Sequence, residues 1–183
     1  MIYFNSDVWI LGDSIPYWAG ERARDRHQAN LRIPEIAIGW YGVRGMRLRQ
    51  LIHSIQLKVV FQTVPRLVVV HMGGNDILLE TNFRMFNAIR SILRYIRAAC
   101  PESVIVWVDI LQRRQWTTAQ EGKRRRVNRY ARQQVDRLPK GTHLTMDIDL
   151  STPGFYRPDG IHLSDVGLEF YLDTLRDKII FNI

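Results

Sequence analysis

Short apolar runs recur along the 183 residues at intervals of about thirty, the length of one strand–helix unit. Val8-Trp9-Ile10-Leu11, Glu35-Ile36-Ala37-Ile38, Leu67-Val68-Val69-Val70 and Val104-Ile105-Val106-Trp107-Val108 are too short for helices and end in turns or polar residues. Leu67–Val70 has no polar alternation, as a strand covered on both faces requires. Between the runs, apolar residues fall at helical spacing. A polar, Arg-rich helix runs to about Ala29; Leu48, Leu51, Ile52 and Ile55 mark a second; Phe86, Ile89, Leu93 and Ile96 mark a third, halted by Pro101. Lys123 to Arg137 keeps Val127, Ala131, Val135 and Leu138 on one face, after a loop from Gln112 to Thr118. His143 to Met146 reads as a weaker fifth strand. Ser164 caps a last helix carrying Val166, Phe170, Leu172, Leu175 and Ile179. Such alternation implies βαβ units, a parallel sheet and right-handed crossovers. The expectation is one three-layer α/β domain over residues 1–183, without linker or repeat.

Three of the strand ends carry unusual turns. Gly12-Asp13-Ser14 follows the first run, glycines through Gly45 follow the second, and Gly73-Gly74-Asn75-Asp76 follows the third. In an open parallel sheet all three reach the carboxyl edge, where ligands bind. Pro158-Asp159-Gly160-Ile161-His162 joins them late, on an irregular stretch from Asp147 to Leu163. Each piece fits part of an acyl-transfer site. Ser14 attacks a carbonyl, His162 takes and returns its proton, and Asp159 holds the imidazole tautomer. The backbone N–H groups of Ser14 and Gly45 and the side-chain amide of Asn75 meet the oxyanion. The competing reading of Ser14 is a helix cap.

The order Ser, Asp, His suits α/β enzymes, but no Gly-x-Ser-x-Gly elbow occurs and the serine follows the first strand. Gly12-Asp13-Ser14, Gly45, Gly73-Gly74-Asn75-Asp76 and Asp159-Gly160-Ile161-His162 together resemble the four blocks of the SGNH (GDSL-type) serine hydrolases. The resemblance implies a flavodoxin-like α/β/α fold with five parallel strands in the order 2-1-3-4-5, an acetyl-, short-acyl- or lipid-esterase activity, and no cofactor or metal. A narrower resemblance rests on Val8–Ser14, Trp40–Arg47, Val106–Leu111 and Tyr156–Asp165. These stretches are similar to the esterase domains of first-open-reading-frame proteins of vertebrate non-LTR retrotransposons. That similarity implies a cytoplasmic setting and a ribonucleoprotein partner.

The sequence departs from the wider family in placing Arg44 before the oxyanion glycine. Arg44 is read as a guide for an anionic ester, such as a phospholipid, and Trp40, with Trp18, Tyr41 and Trp116, as possible pocket wall; core packing is the plainer role for these aromatics. His71 is read as a neutral, hydrogen-bonded histidine, and Asp13 and Asp76 as braces for their turns. The formal charge is +8, and only four of 26 basic residues are lysines, which favours anionic partners. Arg124, Arg125, Arg126, Arg129 and Arg132 are the expected surface for RNA or anionic membrane. No membrane span or signal peptide is legible. The one cysteine, Cys100, reads as a structural thiol. Two rivals stand against the esterase: a non-catalytic lipid- or RNA-binding module, and a metal-dependent phosphoesterase using Asp13, Asn75, Asp76, Asp159 and His162.

Overall fold

The protein's computed structural model describes residues 5–183. Five parallel strands, β1 (Val8–Gly12), β2 (Ile38–Gly42), β3 (Leu67–His71), β4 (Val104–Val108) and β5 (Gly141–Leu144), form one sheet in the order β2-β1-β3-β4-β5. Five helices alternate with them: α1 (Ser14–Asp25), α2 (Leu48–Phe61), α3 (Asn82–Ala99), α4 (Thr118–Asp136) and α5 (Asp165–Asn182).

The strands are apolar throughout because successive side chains feed different layers. Trp9, Leu11, Val68, Val70, Ile105 and Trp107 pack against α2, α3 and α4. Val8, Ile10, Leu67, Val69, Val106 and Val108 pack against α1 and α5. Because the chain leaves β1 for β2 and then crosses back to β3, the turns after β1 and β3 open a crevice between diverging connections.

Local chemistry sets the helix starts. Thr81, Thr117 and Ser164 accept backbone N–H groups of Arg84, Gln120 and Gly167, and Gln120 returns a bond to Thr117 N–H. Each such cap is worth about 1 kcal/mol.

Several boundaries differ from the sequence reading. The second strand is Ile38–Gly42 rather than Glu35–Ile38, because Trp40 and Tyr41 suit a pleated surface and the whole stretch pairs with β1. The fifth strand is Gly141–Leu144, drawn earlier by pairing with Ile105–Val108. Helix α4 starts five residues before Lys123, at the Thr117–Gln120 capping box. Val166 and Phe170 face solvent on α5, whose packed face carries Leu168 and Tyr171 with Leu172, Leu175 and Ile179. No helix among the described residues is long and apolar enough to cross a membrane.

Candidate active site

Ser14 opens α1 directly after β1, yet it does not cap the helix. Asp13 does, its Oδ1 accepting from Ile15 N–H at 3.2 Å. The Ser14 hydroxyl is thereby free of the backbone, although the residue is only 6% exposed. Asp76 braces a second turn by accepting from Leu48 N–H at 3.2 Å, which ties the start of α2 to the turn after β3. Burial pushes both carboxyls up to about 6; Arg113 and the Ile15 N–H oppose this at Asp13, and the Leu48 N–H opposes it at Asp76.

Gly45 stands between β2 and α2 with φ +75°, and a side chain there would meet nothing within 4 Å. The left-handed backbone, not crowding, is what calls for glycine. Asn75 is fixed from two sides. Its Nδ2 donates to Met46 O at 3.0 Å, and its Oδ1 accepts from Arg113 at 3.0 Å.

His162 arrives on the segment after β5, which is irregular but tethered. Arg157 N–H donates to His162 O, Ser164 N–H to Phe155 O, and Arg114 N–H to Gly160 O. The imidazole Nδ1 lies 2.8 Å from Asp159 Oδ2, while Asp159 Oδ1 accepts from the N–H groups of Ile161 and His162. Burial works against the Asp159 charge, but the hydrogen bonds from His162 and Ile161 outweigh it and hold the carboxyl down at about 2.

Ser14, Arg44, Gly45, Asn75, Arg113, Ile161 and His162 line one open cavity of about 500 Å³. Asp159 stands behind the imidazole. A hydroxyl, a carboxylate-backed imidazole and an amide on one wall are the parts acyl transfer needs. No hydrogen bond joins the Ser14 hydroxyl to the His162 ring among the described residues; contacts of this kind often tighten only around substrate.

Trp40 is not brought to the cavity. Its indole packs on Gly20 of α1 and donates to Ala29 O at 2.8 Å. Tyr41 bonds Gln62 and meets Trp9 edge-on. Trp18 lies beneath two guanidinium groups, Arg44 at 5.4 Å and Arg157 at 5.1 Å. Arg113, which also lines the cavity, is not legible in sequence, because an arginine in an Arg-rich chain carries no local signal of what it reaches.

The acidic residues weighed as metal ligands are engaged separately, and no group of three or more His, Cys, Asp or Glu among the described residues is placed to hold a metal ion. The basic helix is partly committed as well. Arg124 pairs with Glu121 and donates to Ile110 O, and Arg132 grips the buried Asp109. Arg125, Arg126 and Arg129 are exposed, with Arg125 3.2 Å from the Glu121 carboxylate it shares with Arg124. Cys100 is buried, which raises its thiol pKa and suits a structural role.

Beneath the cavity, His71 ends β3, fully enclosed, with Nδ1 2.9 Å from the Tyr171 hydroxyl. Burial lowers its pKa to about 4; Asp109 pulls it up and Arg113 pushes it further down. The folded chain therefore binds fewer protons here than the unfolded chain between pH 6.5 and 4, so acidification across that window costs stability. Asp13 and Asp76 act oppositely, since their raised pKa values favour the folded state as they protonate. His71→Gln isolates the histidine contribution: its melting temperature should fall less than the parent's between pH 7 and pH 5. Equal falls would place the acid sensitivity elsewhere.

Fold and site together define a class, a five-stranded parallel α/β sheet with a serine in the turn after its first strand. The sequence matches the GDSL-like lipase/acylhydrolase family over residues 10–169, and the chain belongs to that family. No curated protein matches it. Solved structures share its fold at low identity. A GDSL-like lipase from Bacteroides thetaiotaomicron is 16% identical with a TM-score of 0.74, over 96% of this chain and 88% of that one. The psychrotrophic esterase EstA from Pseudoalteromonas sp. is 15% identical with a TM-score of 0.73, over 94% and 95%. A lipase/acylhydrolase from Enterococcus faecalis is 18% identical with a TM-score of 0.71, over 94% of each.

Proposed function

We propose that the protein is a serine esterase that hydrolyses carboxylic esters through an acyl-enzyme on Ser14. The observation that carries this is the convergence of Ser14, Gly45, Asn75 and His162 on one cavity, with Asp159 bonded behind the imidazole. Ser14 Oγ bonds to the ester carbonyl carbon while His162 Nε2 accepts its proton. The oxyanion takes hydrogen bonds from the N–H groups of Ser14 and Gly45 and from the Asn75 amide. Collapse breaks the carbon–oxygen bond of the ester, and His162 gives its proton to the leaving alcohol. Water then repeats the sequence on the acyl group, with His162 again the base, and frees Ser14. The Asp159 carboxylate keeps Nδ1 protonated and stabilises the imidazolium.

The substrate in this reading is an acetyl, short-acyl or lipid ester. The exposed apolar side chains Val43, Leu78 and Leu79, on the connections after β2 and β3, and Phe83, in the first turn of α3, supply apolar surface on or next to the segments that carry Arg44 and Asn75. Arg44 lines the cavity mouth without a carboxylate partner among the described residues. It is the residue to draw in an anionic ester, and Arg44→Ala should slow an anionic ester roughly 3- to 10-fold more than a neutral one of equal chain length. Equal effects on both esters would remove Arg44 from substrate guidance.

The setting we infer is a cytoplasmic retrotransposon ribonucleoprotein, supported by the Val8–Ser14, Trp40–Arg47, Val106–Leu111 and Tyr156–Asp165 stretches. Within it, Arg126 and Arg129, with Arg125 beside them on its exposed pair with Glu121, are the cations that would meet RNA or anionic membrane. The test of the enzymatic reading is hydrolysis of p-nitrophenyl acetate in the presence of a chelator. Turnover that persists there and disappears on Ser14→Ala supports it. Turnover that chelation abolishes and Ser14→Ala spares would replace the serine nucleophile with a metal-dependent site.

A further inference from the structure

We propose that Arg113 is a positioning residue for the oxyanion amide, holding Asn75 so that its N–H faces the reacting carbonyl. This rests on the acyl-transfer reading above. A guanidinium only donates hydrogen bonds and a backbone carbonyl only accepts them. Arg113 on one side of Asn75 and Met46 O on the other therefore admit one orientation of the amide, Oδ1 toward the arginine and Nδ2 toward the Gly45–Met46 backbone. Without the arginine, the amide loses the partner that opposes a flip. The cation also draws electron density toward Oδ1, which strengthens the N–H as a donor.

The surroundings are built for this contact. Gly74 leaves the guanidinium room where it stands, since a Cβ there would lie 2.6 Å from Nη2 and push that flexible end aside. The Trp116 ring sits 5.5 Å from the guanidinium carbon. The connection bearing Arg113 is clamped at its root by the buried Asn128 of α4, which accepts from Ile110 N–H at 2.9 Å and donates to Ile110 O at 3.1 Å. Arg124 donates to the same carbonyl at 2.8 Å. One residue past Arg113, Arg114 N–H bonds Gly160 O at 2.9 Å, on the segment that delivers His162. The same connection thus locates both the amide and the imidazole. Arg113 makes no ion pair among the described residues, and burial lowers its pKa against the pull of Asp13. A partly desolvated cation whose hydrogen bond goes to a neutral amide is an expensive way merely to stabilise a fold.

The test is a double-mutant cycle on p-nitrophenyl acetate, with Arg113→Met and Arg113→Lys made in the parent and in Asn75→Ala, and folding checked by thermal melts. Arg113→Met should lower kcat about 10- to 30-fold with KM within about twofold, and Arg113→Lys should recover part of the loss. In Asn75→Ala the same change should cost less than about threefold, because the amide it serves is gone. Should Arg113→Met fail to fold, the lysine variant carries the cycle. Equal losses in both backgrounds, or a loss carried by KM, would show that Arg113 acts on the substrate directly and would overturn the proposal alone. An Asn75→Ala enzyme as active as the parent would instead remove the oxyanion reading on which it stands.

Discussion

Ser14→Ala is expected to abolish ester turnover, with kcat falling on the order of 10⁴-fold or more, and His162→Ala should do the same. The double variant should be little worse than either, since a hydroxyl without its base and a base without its hydroxyl are equally idle. The serine variant is unusually clean here. Asp13, not Ser14, caps α1, so losing Oγ leaves the helix start bonded and the fold intact. A serine acting as a cap would show the reverse, a stability loss of about 1 kcal/mol with activity retained. Steady-state rates on p-nitrophenyl acetate, read beside thermal melts of each variant, separate the two. Independent, multiplying losses at residues 14 and 162 would mean that they do not work as a pair.

Asn75→Ala should cost on the order of 10²–10³ in kcat, the loss expected for one oxyanion donor. The amide carries no charge, so its effect appears when the carbonyl oxygen becomes negative and hardly at all in ground-state binding; KM should move little. Both of its assigned partners, Met46 O and Arg113, survive the substitution, and the cavity wall around it should persist. A fall in kcat below tenfold would mean that the amide does not point at the oxyanion.

The parts of the fold legible in sequence are those with a local cause. β1, β3 and β4 are apolar runs that both faces of a buried sheet demand, and their bounds were readable almost to the residue. The edge strands were not, because β2 and β5 take their limits from the neighbours they pair with. Val166 and Phe170 satisfy helical spacing on α5, but which stripe of that helix meets the sheet is a tertiary fact. Ser14, Gly45, Asn75 and His162 could be brought to one rim because each sits at a strand end or on the late loop, and the order of a parallel sheet gathers such ends. Trp40 looked equally well placed next to Gly45, yet strand alternation turns it toward α1. Arg113 and its α4 supports were invisible, as their partners lie 14 to 38 residues away and arginine is common along the chain.

The central claim is that Ser14 is the nucleophile of this cavity. Reaction with a serine-directed organophosphonate, followed by intact-mass and peptide mass spectrometry, tests it directly. The expected result is one adduct per chain on the peptide carrying Ser14, formed as ester turnover disappears and slowed sharply in His162→Ala. Adduct on another residue, or full turnover by a chain phosphonylated at Ser14, would contradict it.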